Sequence, residues 1–152
     1  MVTRETAIPS VVTRRNHSDG DPFAASRQRG LRTRAQLLEA EGGTLPLREV
    51  AERLGIVQRS VEERRRAGRL LAFPVRGIRY IYPLWQFGPD GMLPGFEEAL
   101  MALETPNPWA RAAFFLARNL YLDGASPIAE LRRGHVVAVM RAARAYGEHG
   151  AA

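Results

Sequence analysis

The chain has 152 residues, of which 45% are hydrophobic and 25% charged, a composition typical of one globular domain or two small ones. All 22 basic residues are arginine and cysteine is absent, which excludes disulfides, thiol chemistry and cysteine-based zinc sites. The sequence shows neither an apolar run of the roughly 20 residues needed to cross a bilayer nor a signal-peptide pattern, so we expect a cytoplasmic protein without a membrane partner.

The positive charge lies in the first half of the chain. Residues 1–82 carry 16 arginines against 9 acidic residues, whereas residues 83–152 carry 6 arginines against 7. A basic half suits the phosphate backbone of DNA, and a nearly neutral, apolar half suits a protein partner. We therefore expect the two halves to bind different partners.

Residues 1–28 mix proline, serine, aspartate, glycine and arginine without a sustained period, which predicts a flexible N-terminal tail. The tail is either a plain disordered terminus or a basic arm on DNA, and the arginines available to such an arm are Arg14, Arg15, Arg27 and Arg29. A first helix is predicted from Leu31 to Glu41, with Leu31, Ala35 and Leu38 on one face, ending at Gly42.

Residues 47–69, LREVAERLGIVQRSVEERRRAGR, predict two short helices joined at Gly55. The apolar positions suited to burial between two steeply crossing helices are Val50, Ala51, Leu54, Ile56 and Val61. This pattern indicates a helix-turn-helix that reads DNA, with an ordinary surface helical hairpin as the alternative. Several side chains of the second helix can reach base edges or phosphates, namely Gln58, Arg59, Ser60, Glu63, Arg64 and Arg66.

The sequence LLAFPV, then Arg76 and Gly77, then IRYIYP predicts two short strands joined by a tight turn. Arg76 lies at the tip, and Arg79 alternates with Ile78 and Tyr80. We expect this wing both to close the core and to bring guanidinium groups to a phosphate or minor groove. The winged helix-turn-helix domain is thus predicted to span residues 29–87.

Residues 83–95 are rich in proline and glycine and predict a hinge, in which Trp85 and Phe87 pack on a core rather than stack on bases. Four helices are predicted after it, over residues 96–104, 109–121, 127–133 and 135–146, the third capped by Ser126. The second has an apolar face wide enough to need cover on two sides, with Leu120 and Tyr121 on it. This surface indicates an interface with a partner, a self-dimer interface or a well-filled core.

The order of residues in this half resembles the C-terminal domain of the Xre/MbcA/ParS-type antitoxins. The matching residues are Phe114, Phe115, Leu116, Asn119, Leu122, Gly124, Ser126, Pro127, Glu130, Leu131, Gly134, Val136, Val139, Ala142, Ala143, Tyr146 and Gly147. Upstream, residues 68–71, Tyr80, Pro83 and residues 85–87 resemble a winged subset of the family, so the likeness covers roughly residues 42–150. Arg118 departs from the pattern, because the family commonly has proline before the asparagine.

The resemblance implies a mainly α protein, in which a helix-turn-helix with a two-stranded β wing precedes a small helical toxin-binding domain, here residues 88–152. The implied partners are operator DNA, a second copy of the chain, and a RES-domain toxin that is encoded next to it and consumes NAD. The antitoxin would block the toxin's active site and repress the shared operon. The residues that would face the toxin are Asn119, Leu122, Gly124, Ser126, Arg141, Arg144 and Tyr146.

The sequence offers no set of catalytic residues, so we expect a protein that is not an enzyme and needs no cofactor or metal. It lacks a glycine-rich phosphate loop and a G-x-S-x-G motif, and its histidines, His17, His135 and His149, have no ligand-like spacing. Two other functions remain open, a stand-alone winged-helix regulator and a phage-type excisionase. A toxin-sized gene immediately beside this one would favour the antitoxin, and an integrase gene or no conserved neighbour would favour these two functions.

Overall fold

The computed structural model describes residues 21–150, with side chains as far as Tyr146, so most of the predicted tail, with Arg14, Arg15 and His17, lies outside the described residues, as does the side chain of His149. The described part is mainly helical with small antiparallel sheets, as predicted. The helices are α1 (Ala24–Glu39), α2 (Leu47–Leu54), α3 (Gln58–Arg66), α4 (Phe96–Ala102), α5 (Pro108–Leu116), α6 (Pro127–Arg132) and α7 (Val136–Gly150). The strands are β1 (Thr44–Pro46), β2 (Phe73–Val75), β3 (Arg79–Pro83), β4 (Phe87–Gly88) and β5 (Gly91–Met92).

Helix α1 begins within the segment predicted as tail, because Asp21 stabilises its start. The Asp21 carboxylate accepts the backbone N–H of Phe23 at 2.9 Å, and its carbonyl accepts that of Ala24 at 3.3 Å. The chain divides into two units after Ala35. Residues 24–36 are exposed, and of the predicted apolar face only Leu38 packs against the core. Within the described part, none of the helices is long and apolar enough to cross a membrane.

A three-stranded antiparallel sheet has the order β1-β3-β2. The hairpin of β2 and β3 confirms the predicted pair of strands, with Phe73 opposite Ile81 and Val75 opposite Arg79. Strand β1 was not predicted, and it pairs Thr44 with Pro83 on the free edge of β3. This pairing fixes the start of α2 beside the hairpin, because β1 runs directly into α2.

Helices α2 and α3 follow the predicted boundaries closely. Helix α2 ends where Gly55 adopts a left-handed conformation, φ 67°, and its N–H bonds back to the carbonyl of Glu52. Val50 and Val61 are fully buried between the helices, and Ala51 is nearly so. They form the first core cluster with Leu70, Ala72, Tyr82 and Phe87. The turn and the burial therefore agree with the predicted helix pair.

The segment predicted as a hinge is packed on both sides. Trp85 belongs to the core cluster of the C-terminal helices, whereas Phe87 belongs to the first cluster, so the predicted packing of both rings is confirmed. Between them, the fully buried Gln86 acts like a strand neighbour for Leu71. Its side-chain oxygen accepts the N–H of Leu71 at 2.9 Å, and its amide nitrogen donates to the carbonyl of the same residue at 2.9 Å.

The second core cluster draws residues from both sides of this segment. Phe73 of β2 is fully buried in it and stacks on Trp109 of α5, with ring centroids 4.4 Å apart. Phe115 of α5 lies 4.5 Å from Phe96 of α4 and 5.8 Å from Trp85. The hairpin and the C-terminal helices thus share one core.

Two predicted helix ends were wrong. Helix α5 starts at the Asn107 cap, whose side-chain oxygen accepts the N–H of Trp109 at 2.9 Å, but it stops at Leu116 rather than at Tyr121. Helix α6 begins as predicted, with the Ser126 hydroxyl accepting the N–H of Ala129 at 3.3 Å. Helix α7 continues past the predicted end at Tyr146 to Gly150.

Candidate functional site

Helix α3 presents most of the predicted DNA-contacting side chains to solvent. Val61 fixes its orientation, because this side chain is fully buried against α2 and turns the opposite face outward. The exposed predicted residues are Gln58, Arg59, Glu63 and Arg66, and the half-buried ones are Ser60 and Arg64. One face of α3 is therefore available to a ligand.

Ion pairs within α3 hold the arginines of this face loosely. The Nε of Arg59 lies 3.4 Å from a carboxylate oxygen of Glu63, and a terminal nitrogen of Arg66 lies 3.6 Å from one of Glu62. Exposed pairs of this kind contribute about 0.3–0.5 kcal/mol. Each guanidinium can thus leave its carboxylate for a stronger, charge-assisted bond to an anion.

A groove of about 450 Å³ separates α3 from the β2–β3 hairpin. It brings the predicted Arg79 together with Arg48 of α2, which the sequence analysis missed because it placed the DNA contacts on the second helix and hairpin. Both side chains are exposed, and Glu62 is the acidic residue among those lining the groove. Arg64 lies elsewhere, in a depression that it shares with Ser60, Glu63 and Arg69.

Arg65 attaches α3 to β3 instead of facing outward. Its guanidinium carbon lies 3.7 Å from the centre of the Tyr80 ring, a close cation–π contact. It also touches Tyr82, whose pKa is raised by burial while the Arg65 charge opposes that rise. Arg65 stands four residues after the buried Val61, and this helical spacing is the signal that separates it from its arginine neighbours.

The tip of the hairpin consists of Arg76, Gly77 and Ile78. Arg76 and Gly77 both have positive φ, 48° and 88°, and the N–H of Ile78 donates to the carbonyl of Arg76 at 3.1 Å. These torsions make the reversal tight enough for Val75 and Arg79 to pair. All three tip residues are exposed, so Arg76 projects as predicted.

At the other end of the sequence, Asn119 organises the turn after α5. Its side-chain oxygen accepts the N–H of Tyr121 at 2.9 Å, its carbonyl accepts the N–H of Gly124 at 2.9 Å, and its own N–H donates to Ala125. Residues Leu120–Leu122 form a single helical turn within it. Asn119 therefore caps this turn, and α5 ends at Leu116 without a proline at the position of Arg118.

The turn places two large apolar side chains in solvent that the sequence analysis had placed on a helix face. Leu120 is 94% exposed and Tyr121 is 60% exposed. Both line a groove of about 370 Å³, whose wall is apolar except for Arg118 and Asn119. Its remaining lining residues are Ala113, Phe114, Ala117, Ala142, Ala145 and Tyr146. We call this the C-terminal groove.

The residues predicted to face a toxin divide into three sets. Tyr146 and Asn119 line the C-terminal groove, and the Tyr146 ring meets Phe114 edge-on at 5.3 Å. Arg141, Arg144 and Gly124 are exposed near it in sequence. Leu122 was wrongly placed at the surface: it is 6% exposed and packs in the core, while Ser126 serves as the cap of α6. The exposed leucine of this turn is Leu120.

A charged cluster joins the end of α6 to the start of α7. Glu130 is 9% exposed, and its carboxylate lies 2.5 Å from Nδ1 of His135 and 3.1 Å from a terminal nitrogen of Arg133. The hydrogen bond from His135 is the main reason that the pKa of Glu130 lies below its usual value, and the Arg133 charge acts in the same direction. These three residues are close in sequence, and their contacts connect the end of α6 to the start of α7.

We expect the free energy of unfolding to fall as the pH drops through the folded pKa of Glu130, which lies below the usual 4.5. The sign follows because the unfolded chain binds this proton more readily than the folded one, so the stability is present above 4.5 and lost in acid. Urea unfolding between about pH 7 and about pH 3 measures it. Glu130→Gln should flatten this dependence, whereas Glu98→Gln, at an exposed carboxyl, should not. If the free energy of unfolding fell equally with pH in Glu130→Gln and in the unchanged protein, Glu130 would not be the cause of the acid loss of stability.

Neither a protein-family model nor a curated protein sequence matches the chain. Among solved structures, the fold is similar to the NMR structure of Rv2175c, with a TM-score of 0.59 and 22% sequence identity. The similarity covers 72% of this chain and 84% of that chain. At this level of identity the likeness shows a shared fold and nothing more.

Proposed function

We propose that the chain binds DNA through a winged helix-turn-helix, in which α3 is the recognition helix and the β2–β3 hairpin is the wing. The order strand, helix, helix and hairpin supports this, because it leaves α3 exposed beside a projecting hairpin. The observation that carries the proposal is the groove beside α3, which exposed Arg48 of α2 and exposed Arg79 of the hairpin both line. Two exposed cations therefore share one groove with residues of α3.

The local charge agrees with an anionic ligand. Residues 44–83 contain nine arginines and four acidic residues, and the acidic Glu62 and Glu63 are each paired with an arginine on the same helix. Neutralising phosphates with such arginines releases counterions, which drives association at moderate salt. Net charge alone gives no sequence preference, so preference must come from α3.

The exposed face of α3 carries side chains suited to reading bases. In a major groove, Arg59 can pair with guanine, Gln58 with adenine, and Glu63 can accept from the amino group of cytosine. Arg76 and Arg79 of the wing would lie on the phosphates or in the adjoining minor groove. A homodimer would place two such helices on matched half-sites about one helical turn apart. The protein would then act in the cytoplasm, as the antitoxin resemblance implies.

The experiment is a binding titration of the full-length chain with fluorescent duplexes selected from a randomised library. We expect binding whose logarithm of affinity falls linearly with the logarithm of salt concentration, with a slope that counts the neutralised phosphates. A competitor of random sequence should weaken binding less than a selected duplex does. Failure to select any duplex at low salt would contradict the proposal.

We also propose that the C-terminal groove binds a protein partner, the RES-domain toxin that the antitoxin resemblance implies. The observation in favour is the pairing of a cavity with projecting apolar groups in one place, because Leu120 and Tyr121 stand at the rim of the groove. Tyrosine is among the residue types enriched at the centres of protein interfaces, and Leu120 adds apolar surface beside it. Exposed Arg141 and Arg144 could meet carboxylates on the partner. Occlusion of the toxin would then accompany repression of the operon.

A point variant tests this partner better than a truncation. Ending the chain near Pro106 would remove Trp109 and Phe115 from the core, so loss of function would only report unfolding. We expect Leu120→Asp to abolish pull-down of the protein encoded by the adjacent gene and to abolish rescue of growth when that gene is expressed. Val137→Asp is the matched control, since Val137 is 67% exposed and lies outside the groove.

The readouts are growth, cellular NAD and co-purification. If both variants captured the adjacent gene product equally, the C-terminal groove would not be its binding site. An adjacent gene product that is harmless and does not bind the unchanged protein would contradict the antitoxin role and leave a stand-alone winged-helix regulator or an excisionase. DNA binding is measured separately, so its outcome does not depend on this result.

A further inference from the structure

The tip of the wing carries an apolar side chain that takes no part in folding. Ile78 is 91% exposed, and among the large apolar residues of the described part only Leu120 is more exposed. The turn itself depends on the positive φ angles of Arg76 and Gly77 and on a backbone hydrogen bond, not on the Ile78 side chain. The Ile78 side chain is therefore available to a ligand, and what surrounds it decides which kind of ligand would fit.

The surroundings of Ile78 identify the class of that ligand. Arg76 and Arg79 lie on either side of it in the chain, and all three are exposed. Ile78 and Arg79 also line the groove that faces α3, together with Arg48. Cations flanking a short apolar projection fit a polyanion that hides an apolar interior, and stacked base pairs between two phosphate chains have this character.

We propose that Ile78 is a wedge that enters the minor groove and inserts between two base pairs, so that the protein bends the DNA it binds. The proposal rests on DNA binding by the winged helix-turn-helix. The guanidinium groups of Arg76 and Arg79 hold the phosphates on the two sides, and the branched side chain replaces part of the stacking at one step. Pyrimidine–purine steps unstack most easily, so they are the preferred sequence under the wing.

This wedge adds a source of specificity that α3 does not supply. The wing makes no hydrogen bond to a base edge through Ile78, and the sequence is selected by how readily the step opens. Wedges of this kind bend DNA by about 20–90°. The kink would open the minor groove under the wing and bend the duplex toward its major groove.

The test uses a selected duplex with a dye at each end and 2-aminopurine placed at successive positions along the site. For the full-length chain we expect a shorter end-to-end distance on binding and a rise in 2-aminopurine fluorescence at one step. Ile78→Ala should keep the salt dependence of binding while losing most of the bend and the fluorescence rise. Ile78→Phe should retain both, and Val137→Ala should behave as the unchanged protein.

Three outcomes would overturn the wedge. The unchanged protein could bind without bending, Ile78→Ala could bend the duplex equally, or the fluorescence rise could fall at the step under α3. Binding by the unchanged protein in these cases leaves the proposed function intact. Absence of binding by the unchanged protein would overturn both proposals together. If Ile78→Ala instead lost capture of the adjacent gene product while bending DNA normally, the residue would belong to a protein interface.

Discussion

Replacing Arg59 with alanine should weaken binding to a selected duplex by about 1–3 kcal/mol and relax the preference at one base pair. Arg59 is the second residue of α3, its side chain is 88% exposed, and the pair with Glu63 at 3.4 Å is weak enough to exchange. Removing the guanidinium leaves hydrogen-bond acceptors of the base without a partner in a desolvated interface, and this accounts for most of the lost binding free energy. Fluorescence anisotropy against duplexes changed at single positions measures both effects.

The control is Arg144→Ala, which removes the same charge from an exposed position of α7. If overall charge were the cause, both variants would lose affinity equally and keep their sequence preference. A position-specific loss in Arg59→Ala alone supports a reading role for α3. Arg76→Ala gives a third pattern, a reduced salt slope with unchanged preference, because a phosphate contact carries no base information.

Replacing Phe115 with alanine should lower the free energy of unfolding by about 3–5 kcal/mol. The ring is fully buried and lies 4.5 Å from Phe96, 5.1 Å from Phe114 and 5.8 Å from Trp85. Its removal loses the burial of a large apolar group and opens a cavity that these stiff neighbours fill poorly. Urea unfolding followed by tryptophan fluorescence and by circular dichroism measures the change.

Met101→Ala is the matched control, since Met101 is 59% exposed on α4 and its truncation should change stability by less than about 0.5 kcal/mol. Fluorescence and circular dichroism should give one coincident transition for the unchanged protein, because the hairpin and the C-terminal helices share a core. Two separated transitions, or a loss in Phe115→Ala as small as that in Met101→Ala, would contradict the shared core.

Local signals made much of the fold predictable. The helix pair followed from apolar periodicity interrupted at Gly55, and the hairpin followed from strand residues around Gly77. The cap at Ser126 marked the start of α6. Strand β1 escaped prediction because three residues are too few for a pattern, and because its partner β3 lies far along the chain. Gln86 escaped because a buried glutamine looks like a surface residue until its partner Leu71 is known.

The exposure of the candidate site residues was predictable where it follows from helix periodicity. The prediction failed where helix α5 ends earlier than expected. The predicted helix continued to Tyr121, which placed Leu120 on the apolar face of that helix. The chain instead leaves the helix after Leu116, and the turn shaped by Asn119 puts Leu122 inside and Leu120 outside. The error came from a boundary that only the hydrogen bonds of Asn119 reveal.

The position of Trp85 and Phe87 on either side of the buried Gln86 constrains how such a protein can diversify. A chimera joined here would inherit two incomplete cores, since each ring belongs to a different cluster. Exchange of whole halves between related proteins is thus a poor route to a new partner. Exposed Leu120 and Tyr121 are free of that constraint, so under the proposed function a change of protein partner needs only substitutions at these two residues.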